Sequence, residues 1–149
     1  MSAAPRRALV TGGSGGIGGA LCAYDASFAA GLLEALTQVA VERTAVLLVA
    51  YDAGYPEPLH RHRPIPDAFG VALVLAPAVS AASQARLTAT LGPPAPDGMA
   101  DGALDSLRRS IPAARSLPLL AQLARRSTGR VVLDYLGGQG LAVELSACP

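Results

Sequence analysis

The chain has 149 residues, 51% of them hydrophobic, so it can bury one sizeable core, and it carries a formal net charge of +1. Its twelve basic residues are scattered, with Arg6-Arg7, Arg108-Arg109 and Arg125-Arg126 reading as solvated pairs, so neither a nucleic-acid nor an anionic-membrane surface is expected. Lysine and asparagine are absent, which excludes any mechanism that needs an ε-ammonium or an asparagine amide.

Two thiols, Cys22 and Cys148, have neither disulfide nor zinc spacing, which fits a reducing cytoplasm. The apolar run after Arg6-Arg7 ends at Thr11, too soon for a signal peptide, and no stretch reaches the roughly 18 apolar residues of a membrane helix.

Ala8–Val10 predict a buried strand that enters the turn Thr11-Gly12-Gly13-Ser14-Gly15-Gly16-Ile17-Gly18, with a helix expected next. From Asp25 or Ser27, either of which can cap a helix, Phe28, Leu32, Leu33, Leu36, Val39 and Ala40 recur at helical spacing. Val46–Ala50 are uniformly apolar and stop at Tyr51-Asp52, as in a strand covered on both faces. Pro56, Pro58, Pro64 and Pro66 predict an extended loop between Gly54 and Asp67. Phe69–Ala76 form a second buried strand, closed by Pro77, and Gly92–Gly102 a flexible connection. Short helices are expected over Ala103–Arg109 and Leu117–Arg126, the latter capped by Ser116 with Pro118 in its first turn. Val131–Leu136 and Leu141–Leu145 flank Gly137-Gly138-Gln139-Gly140, which predicts an antiparallel hairpin. The fold class is α/β with mixed strand directions, in one compact structural domain.

The string RRALVTGGSGGIGGALC, residues 6–22, resembles the start of a short-chain dehydrogenase/reductase, in particular a 3-oxoacyl-carrier-protein reductase. In such a loop glycines let the backbone approach a pyrophosphate, and a helix N-terminus supplies free N–H groups. The resemblance implies cofactor-binding positions at Gly12, Gly16 and Gly18, with NADP as the cofactor. Members of that family place a lysine four residues after a tyrosine for proton transfer, and no lysine follows Tyr24, Tyr51, Tyr55 or Tyr135. An acidic residue for the ribose is expected about 20 residues beyond the glycines, whereas Asp52 stands well past that point. Catalysis by that mechanism is excluded, and the simpler role for the glycines is a turn that joins a strand to a helix.

The segments DASFAAGLLEALTQV, AVLLVAYDAGYPEPL, DAFGVALVLAP and VVLDYLGGQGLAVELSAC resemble, in family order, the ketoacyl-synthase-like domain of bacterial aryl-polyene and polyketide gene clusters. That domain is related to the N-terminal half of thiolase-fold condensing enzymes. The resemblance covers residues 21–149 and implies a partial thiolase-like mixed sheet with packed helices and a C-terminal β-hairpin, preceded by a reductase-like leader over residues 1–20. The two resemblances abut near residues 18–24, as a junction of two parent sequences would. Condensing enzymes use a cysteine thiolate at the start of a helix and two histidines, which in that family come from a second half this chain is expected to lack. Alignment on Ser27-Phe28 puts the nucleophile position near Tyr24. Cys22 is the candidate catalytic residue on this resemblance, a small buried thiol being its other reading, and Cys148 a lesser one.

His60 and His62, in LHRHRP, would share a face of an extended backbone, but flanking arginines disfavour a bound cation and no metal is expected. Tyr51-Asp52 and Asp134-Tyr135 read as polar groups satisfied at a sheet's edge. The resulting expectation is a β-ketoacyl-synthase-like protein of fatty-acyl, aryl-polyene or polyketide synthesis, without independent catalytic activity. Its partners would be an acyl carrier protein or a ketoacyl synthase subunit, with self-association a further expectation. An NAD(P)-binding reductase fragment and a non-catalytic partner subunit of a complete synthase are the alternatives.

Overall fold

The computed structural model describes residues 7–11, 19–92 and 95–148. Gly12, Gly16 and Gly18 lie outside the described residues. β1 (Arg7–Thr11) is the expected first strand, but residues 19–21 do not form the expected helix. They form β2 (Gly19–Leu21), parallel to β1 with Leu9 opposite Gly19. A one-turn 3₁₀ helix over Tyr24–Ala26 then leads into α1 (Ser27–Glu42).

Phe28, Ala29, Leu32, Ala35 and Val39 of α1 are buried, a stripe at helical spacing that faces the sheet. Neither predicted residue caps α1 itself. Ser27 Oγ accepts from the Ala23 N–H at 2.9 Å and donates to the Tyr24 carbonyl at 2.7 Å, so it ties down the preceding turn instead. Arg43, at φ 56°, ends the helix in the left-handed conformation, its N–H bonded to the Val39 carbonyl at 3.1 Å.

The chain then returns as β3 (Val46–Asp52), parallel to β1, and α1 makes the crossover that parallel pairing requires. β4 (Phe69–Leu75) runs antiparallel to β3 and completes a sheet in the order β2-β1-β3-β4. The expectation that β3 is covered on both faces is corrected. Val46, Leu48 and Ala50 are buried, whereas Leu47 is 38% and Tyr51 44% exposed, and Val74 opposite Leu47 is 73% exposed. One face packs on α1 and the core; the other is open among the described residues. The proline-rich excursion is likewise not wholly extended, since Leu59–His62 form a single helical turn, α2.

A second sheet, which the sequence reading left partly unread, has the order β5-β7-β6. Its members are β5 (Ala85–Gly92), β6 (Gly129–Asp134) and β7 (Gly140–Ala147), all antiparallel. The predicted hairpin is β6–β7. Its turn uses the left-handed backbone that glycine adopts without strain, at Gly137 (φ 67°) and Gly138 (φ 71°). The Tyr135 N–H closes the loop on the Gln139 carbonyl at 3.0 Å.

Between β5 and β6 lie α3 (Gly102–Ser110), a 3₁₀ turn over Ala113–Ser116, and α4 (Leu117–Ala124). Ser116 does not cap α4; it is fully buried and donates to the Ala113 carbonyl at 2.7 Å. Asp97 covers the outer edge of β6: its N–H bonds to the Val132 carbonyl and its Oδ2 accepts the Val132 N–H, both at 2.8 Å. One core joins the two sheets through α1, with Phe28, Leu32, Leu48, Leu119, Leu133, Leu141 and Val143 at its centre.

Candidate functional site

The turn between β2 and α1 carries the residues the sequence singled out. Tyr24 opens the 3₁₀ turn at φ 54°, a left-handed conformation that costs an L-residue with a Cβ about 1 kcal/mol. Its ring is 66% exposed and is covered on one face by the Arg63 guanidinium, 3.7 Å from the ring centroid. Cys22 is exposed rather than the small buried thiol that was its alternative reading. It stands at the lip of a cleft of about 110 Å³ bounded by Tyr24, Phe28, Tyr51, Asp52, Arg63 and Ala113.

Charged groups from four separate stretches meet behind that cleft. Asp25 accepts from Arg63 through Oδ1 and pairs with Arg115 Nη2 at 3.2 Å through Oδ2. Arg115 Nη1 reaches Asp134 Oδ2 at 2.5 Å. The turn between β2 and α1 is thereby tied both to the α2 loop and to β6 of the second sheet. Asp52, at the end of β3, accepts the Ala113 N–H at 2.6 Å. Burial pushes its carboxyl above the usual carboxylate range, against the opposing pull of that N–H and of Arg63. Burial also opposes the charge on Arg63, but the hydrogen bond and attraction of Asp25 outweigh it and hold the guanidinium more firmly protonated.

None of these groups is placed as a free general base. Asp25 and Asp134 are committed to arginines and Asp52 to a backbone N–H. The site thus holds an aromatic hydroxyl at the mouth of a short helix, with a clamp of alternating charges behind it. The reading of Asp52 and Asp134 as groups satisfied at strand ends agrees with these partners.

Sequence reasoning missed Arg63 and Arg115. Asp25 and Arg63 are 38 residues apart, Arg115 and Asp134 19, and no local spacing signals such pairs. His60 and His62 do not share a face. They sit on the single turn α2, where neighbours two apart point to roughly opposite sides, and both are solvent-exposed. Among the described residues no group of three His, Cys, Asp or Glu side chains could hold a metal ion. Cys148 lies remote from the cleft, half-buried near the end of the chain.

Residues 17–130, most of the chain, match the family described as beta-ketoacyl synthase, N-terminal domain. The chain belongs to that family. No curated protein and no solved structure matches it. The β-ketoacyl synthase match spans β2, α1, β3, α2, β4, β5, α3 and α4, and it ends at Arg130, so nearly all of the β6–β7 hairpin lies beyond it. Among the described residues no helix of this β-ketoacyl synthase-like chain is long and apolar enough to cross a membrane.

Proposed function

We propose that this β-ketoacyl synthase-like chain serves carrier-protein-dependent synthesis of fatty-acyl, aryl-polyene or polyketide chains without condensing activity of its own. The observation that carries the reading is Tyr24. It occupies the turn at the helix start where, on the alignment through Ser27-Phe28, the thiolate nucleophile belongs, and Cys22 lies on the strand side of that turn, exposed. A phenol in that place has neither the nucleophilicity nor the leaving-group chemistry of a thioester-forming thiolate. Cys22 also lacks the helix-terminus position that would favour its ionised form.

The test is a condensation assay with malonyl and acyl thioesters, run beside iodoacetamide labelling. No ketoacyl product and slow labelling of Cys22 are expected. Rapid alkylation of Cys22 at neutral pH, together with product formation that Cys22→Ser abolishes, would overturn the proposal.

A second reading, that of a non-catalytic partner for a complete synthase, is favoured by the open apolar face formed by Leu47, Tyr51 and Val74. Co-purification with a synthase subunit or an acyl carrier protein, lost in Val74→Lys, is the outcome this reading expects.

A further inference from the structure

A second cavity, of about 910 Å³, shares no residue with the cleft at the β2–α1 turn. Its floor is apolar, made by Leu33 and Leu36 of α1, Leu73 of β4, Leu87 of β5 and Leu123 of α4. Consecutive residues of two strands line it, 72–75 of β4 and 85–87 of β5. Neighbours along a strand point to opposite faces, so a cavity meets both only where it looks onto the strand's edge. Each of these strands is the outermost of its sheet, β4 in the first and β5 in the second. The cavity is therefore a slot between two open sheet edges. β5 is the more regular of them: all eight of its residues pair with β7 without a bulge, and it contains no proline. In an antiparallel ladder alternate residues turn their N–H and C=O away from the partner strand. On β5 those groups face the slot, and among the described residues no backbone group bonds to them. The far edge of the same sheet differs, since Asp97 occupies it at Val132. A long, regular, uncovered edge is a template for a further strand.

We propose that this slot takes an extended segment of a partner protein as an added strand on β5, one in which apolar side chains alternate with acidic ones. The alternation of β5 dictates that of its occupant. Leu87 and Ala89 face inward onto the core, whereas Arg86, Thr88 and Thr90 are exposed on the outer face. Every second side chain of the segment therefore meets the leucine floor and is apolar. Those between stand beside Arg86 on the outer face, where a carboxylate in a cross-strand pair is attracted to the guanidinium. No carboxylate lines the slot, and Arg86 has no ion pair with another described residue. Glu144, opposite Thr88 and so diagonal to Arg86 on the same face, leaves it unpaired. With β4 and the loop over residues 76–84 walling the far side, the space suits a single extended segment rather than the edge of a second folded sheet.

The experiment uses the full chain, diluted until light scattering gives the monomer mass. The probe is a blocked peptide as long as β5 in which valine alternates with glutamate. One comparison peptide has lysine in place of glutamate, and another has the same composition with all its valines in one run. Binding is measured by calorimetry and the β5 amides by hydrogen exchange. The alternating glutamate peptide is expected to bind about tenfold or more tighter than the one with its valines in a run, which can set fewer of them on the floor. It should slow exchange at alternate residues of β5 and leave β6 unchanged. N-methylation of every second peptide residue should abolish binding in one of the two registers only, the one whose N–H groups face β5. Arg86→Glu should weaken the glutamate peptide about fivefold and strengthen the lysine peptide by a similar factor, at the parent melting temperature.

Equal binding of the peptide with its valines in a run, equal binding of both N-methylated forms, slowed exchange only outside β5, or an Arg86→Glu variant with unchanged preference would each overturn the proposal. So would a doubled mass at every dilution with the alternate β5 amides already protected, which assigns the edge to a second copy of the chain.

Discussion

At the residue scale, Tyr24 holds two opposed contributions that substitution can separate. Its φ of 54° is strained for any residue with a Cβ, while its ring stacks under Arg63. Tyr24→Ala keeps the strain and loses the stacking, so it should destabilise by about 0.5–1 kcal/mol. Tyr24→Gly loses the stacking but relieves a strain of similar size, about 1 kcal/mol, and should be close to neutral. Chemical denaturation measures both; a glycine variant less stable than the alanine variant would refute the assignment.

Two carboxylates predict opposite responses to acid. Asp52 has its folded value raised above 3.8 by burial, so the folded state holds the proton more tightly than the unfolded chain. Its contribution is complete below the unfolded value and shrinks as pH rises through the folded one. Asp105 is held below 3.8 by Arg108, the Met99 N–H and Arg109, so its contribution is present above the unfolded value and lost as pH falls. In melts between about pH 3 and pH 6, Asp52→Asn should gain on the parent as pH rises. Asp105→Asn should lose ground over the same rise.

At the scale of elements, α3 depends on its first residues more than on its apolar face. Asp101 accepts from the N–H groups of Ala103 and Leu104 at 2.9 and 3.0 Å, and none of the helix's residues is fully buried. Asp101→Ala should therefore cost about 1 kcal/mol, read from the denaturation midpoint, and Asp101→Ser much less.

The helix α1, the strands β3 and β4, and the glycine turn of the hairpin were legible because their periods and punctuation are local. β5 was legible too and went unread. Leu87, Ala89 and Leu91 alternate with Arg86, Thr88 and Thr90, but the run lies between an Ala/Ser-rich stretch and a proline cluster that draw the eye to loop. The turn α2 was hidden for a physical reason. Prolines forbid a long helix or a sheet ladder but tolerate one helical turn, here begun after Pro58 and ended before Pro64.

At the scale of the whole molecule, the site was legible only as a turn. Asp25, Arg63, Arg115 and Asp134 come together because the Tyr24–Ala26 turn packs on the 3₁₀ turn over Ala113–Ser116, which in turn packs on β6, and that placement is a property of the assembled core. The open face of the first sheet carries its own prediction. Leu47 lies opposite Val74 in a non-covered cross-strand pair, with Tyr51 further along the same face of β3, and exposed apolar surface promotes association. Light scattering should show mass rising with protein concentration, and Val74→Lys should return the chain to a monomer. A monodisperse monomer at every concentration would contradict this.

The same sheet chemistry is handled differently at β6. Where an edge strand ordinarily offers an unpaired N–H to any passing chain, Asp97 supplies both an acceptor and a donor at Val132. The Val132 amide therefore exchanges with solvent only when the stretch around Asp97 lifts away. Its exchange lifetime becomes a clock for that opening, and Asp97→Ala should shorten it by leaving the amide bare at the border of the second sheet.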